Sequence, residues 1–408
     1  MSQEMATVGP DIDLTDLALF EQGAPHEVFA QLRQEAPVYW NDLPENAGFW
    51  ALTRHAEVQA LGRDPMVFSV AERGNMIFDQ FGDGHDRAKM MLELDGGAHT
   101  LYRSRVKTGF SPASVRRLLP LARVRMSMLL SEALEDAACD FVESVAGALP
   151  LHTIADLMGV PLEWRPEVYE VANRIMAFSD PEFSEVEGGE NVAAMNEMRA
   201  LAARLGRERQ RSPAQDLTSL MLAPDGGGES LGAEEFELFF LMLVVAGIET
   251  TRSAIAGGVL AFCEWPEEWQ RLQNDPELIP SAIEEVLRWT SPIHHFRRTV
   301  LRDTEVAGTR MRAGDRVVMW YSSANRDPAV FKDPTRFDIG RTPNEHLSFG
   351  FGRHFCLGAR LARMELQVVL EALLERDIRV ELRGTPVYMR SNFAHSLKRM
   401  PVALRAPA

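Results

Sequence analysis

Apolar residues recur every three or four positions through the middle of the chain, from about residue 113 to about residue 290. Leu, Ala, Met and Val follow this spacing in segments 115–134 and 192–209, which predicts a helix in each. Two β-prone stretches lie nearer the ends of the chain, at 49–53 and 316–321, and turn residues bound them. The pattern predicts a mainly helical protein with small β-sheets.

The most apolar part of the chain follows three consecutive glycines, Gly226 to Gly228. Ser230 is a candidate N-cap, and Glu234 and Glu235 would then lie in the electropositive first turn of a helix. The segment continues to Trp265-Pro266, where proline ends it. A helix of about 30 residues is about 45 Å long, so we expect a core helix that crosses the whole domain.

No repeat and no long Ser/Gly/Pro linker divides the sequence, so we expect one domain over residues 1–408. With 43 basic and 59 acidic side chains the net charge is −16, which argues against nucleic acid or an anionic membrane as the main partner. The longest apolar run, residues 238–248, is shorter than the ~20 residues that span a bilayer. The N-terminus lacks the pattern of a secretion signal, so we expect a soluble cytoplasmic protein without a membrane span.

The chain has three cysteines, Cys139, Cys263 and Cys356, too few for a disulfide framework and consistent with a reducing compartment. Cys356 lies in the glycine-containing segment Phe349–Gly358, just before a helical pattern. A helix N-terminus stabilises a thiolate, so Cys356 is the candidate ligand or nucleophile, and the other two are interpreted as packing residues. Zinc is disfavoured because His354 and Cys356 supply one possible pair of ligands, but no second Cys/His pair follows at useful spacing.

The segment Phe349–Gly358 resembles the haem-binding signature of the cytochrome P450 superfamily: an aromatic residue, two variable residues, Gly, one variable residue, His or Arg, one variable residue, Cys, one variable residue, Gly. Three further segments match the family's signatures in its order: His99–Arg103, Ala246–Thr251 and Glu285–Arg288. The resemblance covers nearly the whole chain. It implies the cytochrome P450 fold, mainly α (α+β), with a long central helix over the haem, and haem b with the thiolate of Cys356 as axial ligand.

The resemblance also assigns residues to the cofactor. Two propionates of the haem need neutralisation, and His99, Arg103 and His354 match the family's side chains for this role. Arg298 is the fourth match, with the adjacent Arg297 left open as the alternative. The residues expected to bind the cofactor are His99, Arg103, Ala246, Gly247, Arg298, Phe349, Gly350, His354, Cys356 and Gly358, of which Cys356 binds the metal.

The catalytic pair implied by the resemblance is Glu249 and Thr250, an acid and an alcohol that assist proton delivery to dioxygen in a monooxygenase. On their own, a glycine and a threonine in a buried helix, such as Gly247 and Thr250, would indicate packing. Glu285 and Arg288 stand three residues apart and would, in isolation, form an ordinary surface ion pair. In the family such a pair is buried, and we expect it to support the loop ahead of the cysteine.

Electrons must come from another protein, because the chain has no flavin or nicotinamide fingerprint and no cluster-binding cysteine set. We expect a ferredoxin with its NAD(P)H-linked reductase. Arg353, Arg360 and Arg363 near Cys356 form a local basic group that suits an acidic redox protein, although some of them are alternatively solvated or bound to haem.

The expected substrate is a hydrophobic small molecule that binds with O₂. The family alignment places Met242, Val245, Ala246, Ile293, His294, Phe393 and Ala394 in the pocket. His294 and His295 either contact substrate, bind water above the iron or are satisfied within the protein. The segments 172–174, 180–183, 390–393 and 398–402 resemble bacterial members acting on sterols, terpenoids and branched lipids. Polyketides or other secondary metabolites are the alternative substrates.

A haem-thiolate sensor and a peroxide-driven oxidase are alternative functions, which Glu249 and Thr250 disfavour.

Overall fold

The structure, a computed structural model, describes residues 10–44, 48–78, 90–177, 179–183, 192–224 and 230–407. The predicted segments 115–134 and 192–209 are helical, whereas Gly226 to Gly228 lie outside the described residues. The α-helices within these ranges are α1 (His26–Glu35), α2 (His55–Arg63), α3 (Gly96–Val106), α4 (Pro112–Glu135), α5 (Ala148–Met158), α6 (Arg165–Met176), α7 (Val192–Arg211), α8 (Leu217–Leu222), α9 (Ala233–Glu264), α10 (Pro266–Asn274), α11 (Ile279–Thr290), α12 (Tyr321–Ala324) and α13 (Ala359–Glu375).

Small β-sheets complete the fold. The strands in the same ranges are β1 (Val38–Asn41), β2 (Phe49–Leu52), β3 (Phe68–Ser69), β4 (Cys139–Asp140), β5 (His295–Val300), β6 (Thr304–Val306), β7 (Thr309–Met311), β8 (Arg316–Trp320), β9 (Arg379–Leu382), β10 (Val387–Tyr388), β11 (Leu397–Arg399) and β12 (Pro401–Arg405). Five of them form a sheet in the order β1-β2-β8-β5-β3. The two predicted β-stretches become β2 and β8 and pair in parallel, with Trp50 opposite Val317. Tyr321 instead begins α12.

The long helix α9 has 32 residues, but its N-terminus differs from the prediction. Gly232, and not Ser230, is the N-cap residue. The Glu235 carboxylate accepts a hydrogen bond from the Gly232 amide at 2.7 Å, which is one half of a capping box. The prediction of Ser230 was wrong because the glutamate that closes this motif stands three residues after Gly232.

α9 is the core helix that the sequence predicts. It is the one described helix long and apolar enough to cross a bilayer, but 78% of its most apolar window is buried inside the protein. It packs against α5, α7, α11 and α13. Burial against these helices provides the stabilisation of its apolar surface that lipid would otherwise supply.

Candidate functional site

Cys356 lies in a tight loop that leads into α13. The Cys356 amide donates to the Phe349 carbonyl at 2.9 Å, which closes the loop. Gly350 and Gly352 have φ of +69° and +73°, in the left-handed region that favours glycine. At Gly352 a β-carbon would lie 2.0 Å from the carbonyl oxygen of Gly62, so no other residue fits. The loop therefore requires glycine at this point to bring Cys356 to the start of α13.

The Cys356 thiol faces a cavity that the loop shares with α3, α9 and β5. Burial raises the pKa of this thiol, whereas the backbone N–H groups of Gly358 and Ala359 and the guanidinium of Arg103 lower it. The same N–H groups stabilise a thiolate once a metal cation replaces the proton. Cys356 therefore lies in a position that suits a metal-bound thiolate, with backbone N–H donors directed at its sulfur.

The wall of the cavity formed by α9 carries small side chains. Ala246, Gly247 and Thr250 all line it. The Thr250 hydroxyl donates to the Ala246 carbonyl at 2.7 Å, a backward bond that holds the side chain against its own helix. This part of the wall therefore leaves room for a flat ligand, and the hydroxyl-bearing side chains of Thr250 and Thr251 both line it.

Glu249 precedes Thr250 but is buried, with 1% of its surface exposed, and is not among the described residues that line the cavity. Its Oε2 accepts a hydrogen bond from Arg252, while its Oε1 has no partner in the described part of the chain. Burial raises the pKa of Glu249, and Arg252 opposes this shift. Arg252 also donates to Asn173 Oδ1 at 2.7 Å and contacts Ser396 Oγ at 3.4 Å. Sequence reasoning missed Arg252, although its spacing of three from Glu249 is a detectable signal.

One end of the cavity is cationic. His99 and Arg103 project from α3, Arg298 from β5 and His354 from the loop ahead of Cys356, and all four line the cavity. The rings of His99 and His354 lie 4.4 Å apart. Burial, followed by nearby positive charges, lowers the pKa of His99 to about 4. The structure thus brings together side chains that lie more than 250 positions apart in the sequence.

The choice between Arg297 and Arg298 follows from the alternation of β5. Arg297 donates to the carbonyl of Ile77 at 2.9 Å and to that of Arg73 at 2.6 Å. Arg298 donates to the Arg297 carbonyl at 2.7 Å, and its side chain lines the cavity. Because successive side chains of a strand point to opposite faces, only Arg298 faces the site.

Asp95 supports the cationic end and was not found from the sequence. Its Oδ1 lies 3.3 Å from His354 Nε2, and its Oδ2 accepts from Ser69 Oγ at 2.6 Å and from the Val70 amide at 3.0 Å. Burial raises the pKa of Asp95, but the hydrogen bonds from His354 and Ser69 outweigh it and leave the pKa lowered. No local motif marks Asp95, because His354 is 259 residues away.

Glu285 and Arg288 form a buried pair behind the loop. Arg288 donates to both carboxylate oxygens, with Nη2–Oε1 at 2.7 Å and Nε–Oε2 at 2.8 Å, and both side chains are 0% exposed. Arg341 Nε adds a third donor at 3.0 Å, and the Asp338 amide adds another at 2.9 Å. Arg288 also donates to the carbonyl of Asn325 at 2.9 Å. The pair therefore ties α11 to the chain between α12 and the Cys356 loop.

Known proteins are similar to this chain over nearly its whole length. The model of the cytochrome P450 family matches residues 192–392. The steroid C26-monooxygenase of Rhodococcus jostii (strain RHA1) is 35% identical over 419 residues, which cover 98% of this chain and 87% of that protein. The methyl-branched lipid omega-hydroxylase of Mycobacterium tuberculosis (strain CDC 1551 / Oshkosh) is 38% identical over 410 residues, 98% of this chain and 95% of that protein. The chain belongs to the cytochrome P450 family.

The fold agrees with a solved structure of the family. The cytochrome P450 CYP268A2 of Mycobacterium marinum, solved in complex with pseudoionone, superposes with a TM-score of 0.88 at 33% identity and covers 99% of both chains. The expected P450 fold, with a long core helix and small sheets, is confirmed. Like its relatives, this P450 is a monooxygenase acting on hydrophobic substrates.

The donor set of the cavity fits the cofactor of a P450, haem with a cysteine thiolate as axial ligand. Within the described ranges no three His, Cys, Asp or Glu side chains form a site for a bare metal ion. A single thiolate from Cys356 suffices for iron already bound by four porphyrin nitrogens. His99, Arg103, Arg298 and His354 line the cavity and would supply donors to the two propionates of a bound haem.

The substrate pocket of this P450 differs in part from the expectation. Met242 and Ile293 line the cavity, together with Ala246. The described lining does not include the other expected residues, Val245, His294, Phe393 and Ala394. Val245 is instead packed in the helical core, and Phe393 packs at 5.7 Å against the ring of Phe296, which does line the cavity.

The structure places His294 away from the described cavity lining, with its side chain on the opposite side of the backbone from Ile293. Its Nδ1 lies 2.7 Å from Ser322 Oγ, and its ring stacks on His395 at 4.8 Å. Ala394 pairs with Ile293 through its backbone, which leaves the Ile293 side chain to the cavity. The alternation of an extended segment accounts for the difference between neighbours.

Proposed function

We propose that this P450 inserts one atom of O₂ into a C–H bond of a small molecule with a sterol, terpenoid or branched-lipid skeleton. The observation that carries the proposal is that one cavity joins the Cys356 thiol, the cationic end, the Thr250 hydroxyl and an apolar wall. Haem with a thiolate ligand, once bound, supplies the O₂-cleaving chemistry.

The apolar wall supports a hydrophobic substrate. The apolar side chains along the cavity include Met91, Leu92, Phe110, Ile154, Met242, Leu243, Leu287, Ile293 and Phe296. Such a wall binds a carbon skeleton mainly by excluding water and offers few polar anchors. The names of the two relatives, a steroid and a methyl-branched lipid oxidase, support the same class.

Proton delivery is assigned to Thr250 and Glu249. Thr250 Oγ1 lies at the cavity wall and passes a proton toward the O₂ site, while Glu249 replenishes it from within α9. Burial raises the pKa of Glu249, a direction that favours the protonated form a proton donor needs, although Arg252 opposes the shift. Its unpartnered Oε1 is the atom that would carry this proton.

The test is the Thr250→Ala variant, measured as product formed per NAD(P)H oxidised. The substrate is chosen from steroids, terpenoids and methyl-branched fatty acids by the spin-state shift it causes in the ferric enzyme. We expect Thr250→Ala to retain substrate binding and to divert most electrons to peroxide or water.

Ser253→Ala is the matched control. The Ser253 hydroxyl makes the same kind of backward bond, to the Glu249 carbonyl at 2.8 Å, outside the described lining of this cavity. Its coupling should stay close to that of the wild type. Unchanged coupling in Thr250→Ala would remove Thr250 from proton delivery.

For the electron donor we propose a ferredoxin with its reductase, which dock near the Cys356 loop. Of the three basic side chains there, Arg363 is paired with Glu284 at 2.6 and 2.8 Å, and Arg353 donates to Thr100 at 3.1 Å. Arg360 is exposed and is the charge most available to an acidic partner. A cytoplasmic location fits the three free cysteines.

Arg360→Glu tests the docking surface. We expect it to slow reduction by ferredoxin at low salt and to weaken the salt dependence of that rate. Arg310→Glu, on the hairpin formed by β6 and β7, is the control and should leave both unchanged. An equal rate in the Arg360 variant and the wild type at low salt would exclude Arg360 from the surface.

A further inference from the structure

A second cavity lies along the C-terminal half of α9 and shares no described lining residue with the haem cavity. Ser253, Gly257, Leu260 and Glu264 contribute to it from α9. Its volume of about 170 Å³ is several times that of one water molecule, ~30 Å³ in the liquid. It therefore has room for a small molecule.

Arg326 is the unusual group in this cavity. Its side chain is almost completely buried, with 6% exposed, and its guanidinium lies 3.7 Å from the centre of the Trp289 ring. It donates to the Trp289 carbonyl at 3.2 Å, and its Nε has no partner among the residues that the structure describes. No carboxylate of the described residues lies within ion-pair distance. A buried guanidinium with no carboxylate in ion-pair contact is costly, so an anion bound in this cavity would stabilise it.

Further polar groups line the same space. His26 has a buried Nδ1 without a partner in the described ranges. The Tyr388 side chain also faces the cavity, and His395 points its Nδ1 to the Thr290 carbonyl. The His26 and Tyr388 side chains therefore add candidate hydrogen-bond donors around Arg326.

The remaining lining restricts what kind of anion fits. Glu264 lines the cavity, and the charge of Arg326 opposes the rise in the pKa of Glu264 that burial causes. Its negative charge disfavours multivalent anions. Leu260 and Leu397 form apolar lining, which favours a ligand with a hydrocarbon part over a halide.

We propose that this cavity binds a small monocarboxylate, with its carboxylate toward Arg326 and its short hydrocarbon chain against Leu260 and Leu397. Binding here is separate from substrate binding, since the two cavities share no described lining residue. The ligand would stabilise the junction of α9, α11 and the C-terminal segment by occupying a site present only in the folded protein.

Sodium butyrate is the probe, titrated into the ferric holoenzyme at constant ionic strength adjusted with sodium chloride. Butyramide, which has the same shape without the charge, is the matched control ligand. We expect butyrate to raise Tm in a saturable manner without changing the Soret spectrum, and butyramide to have no such effect. A Soret change would place butyrate in the haem cavity and overturn the proposal.

Two variants assign the effect to this cavity. Arg326→Gln should abolish the saturable shift. Glu264→Gln should lower the apparent Kd for butyrate about threefold or more, because it removes a repelling charge. Glu267→Gln, an exposed carboxylate outside the described lining, should leave the Kd unchanged. The proposal fails if Glu264→Gln titrates like the wild type, or if butyramide or chloride alone gives the same saturable shift.

Discussion

Replacing Glu285 by Gln perturbs the most completely buried charge network behind the Cys356 loop. The carboxylate accepts hydrogen bonds from Arg288, Arg341, Asn344 and the Asp338 amide, all at 3.1 Å or less. A glutamine keeps the shape but turns one acceptor oxygen into a donor that faces other donors. It also leaves two guanidinium groups without their anion.

The size of the effect follows from this burial. Breaking a buried ion pair costs about 3–5 kcal/mol when one charge stays uncompensated. A chain of 408 residues unfolds with an entropy of about 0.9 kcal/mol/K near its midpoint. The Glu285→Gln variant should therefore unfold about 3–6 °C below the wild type.

Glu284→Gln provides a matched control on the same helix. Glu284 also binds an arginine, Arg363, through two hydrogen bonds of 2.6 and 2.8 Å, but its side chain is 30% exposed. Although burial raises it, the pKa of Glu284 falls to about 2 because Arg363 and His346 donate to the carboxylate. Solvent screens this pair, so the expected loss is only about 1 kcal/mol, or about 1 °C.

The assay is thermal unfolding of both ferric variants at one scan rate, followed by circular dichroism and by the Soret band. We expect the Soret band of Glu285→Gln to decay first, because the network holds the chain that leads to Cys356. If the two variants unfold at the same temperature, burial does not set the strength of these pairs and the argument fails.

Three further outcomes follow from the site. Cys356→Ser should abolish the thiolate-type absorption of the reduced carbon monoxide complex, measured against the wild type. Burial lowers the pKa of His295 to about 3, so this side chain stays neutral in the folded protein, and the stability of the wild type falls as the pH drops below ~6.5. The Tm of His295→Phe, measured relative to the Tm of the wild type, should therefore be higher at pH 5 than at pH 7.5. Arg252→Gln should raise the pKa of Glu249 further. Because an acid with a raised pKa loses stability as pH rises, its Tm deficit should be larger at pH 8 than at pH 5.

Much of this fold follows from short-range patterns. The spacing of apolar residues is enough to predict α4, α7 and α9, and the β-prone runs predict β2 and β8. The cap of α9 was misplaced at Ser230, although the spacing from Gly232 to Glu235 contained the correct signal. The pairing of β2 with β8 was beyond reach, because no local feature encodes a parallel partner more than 250 residues away.

The candidate site divides along the same line. Cys356, Thr250 and the pair of His99 and Arg103 stand in local motifs that resemble the family's signatures, so the sequence alone marks them as candidates. The side chains that contact these candidates stand in no local motif. Asp95, for example, contacts His354 only because the fold brings together two positions that are 259 residues apart.

The charge distribution shows why composition was a poor guide to the site. A net charge of −16 predicts nothing cationic, yet Arg298 and three other basic or imidazole side chains meet at one end of the haem cavity. His99 and Arg103 come from α3, Arg298 comes from β5, and His354 comes from the loop ahead of Cys356, so no single window of the sequence contains all four. Arg326 is a second example, because its neighbours in the sequence do not indicate that no described carboxylate forms an ion pair with its guanidinium. Net charge averages over such sites, and only their three-dimensional grouping decides which anions the protein binds.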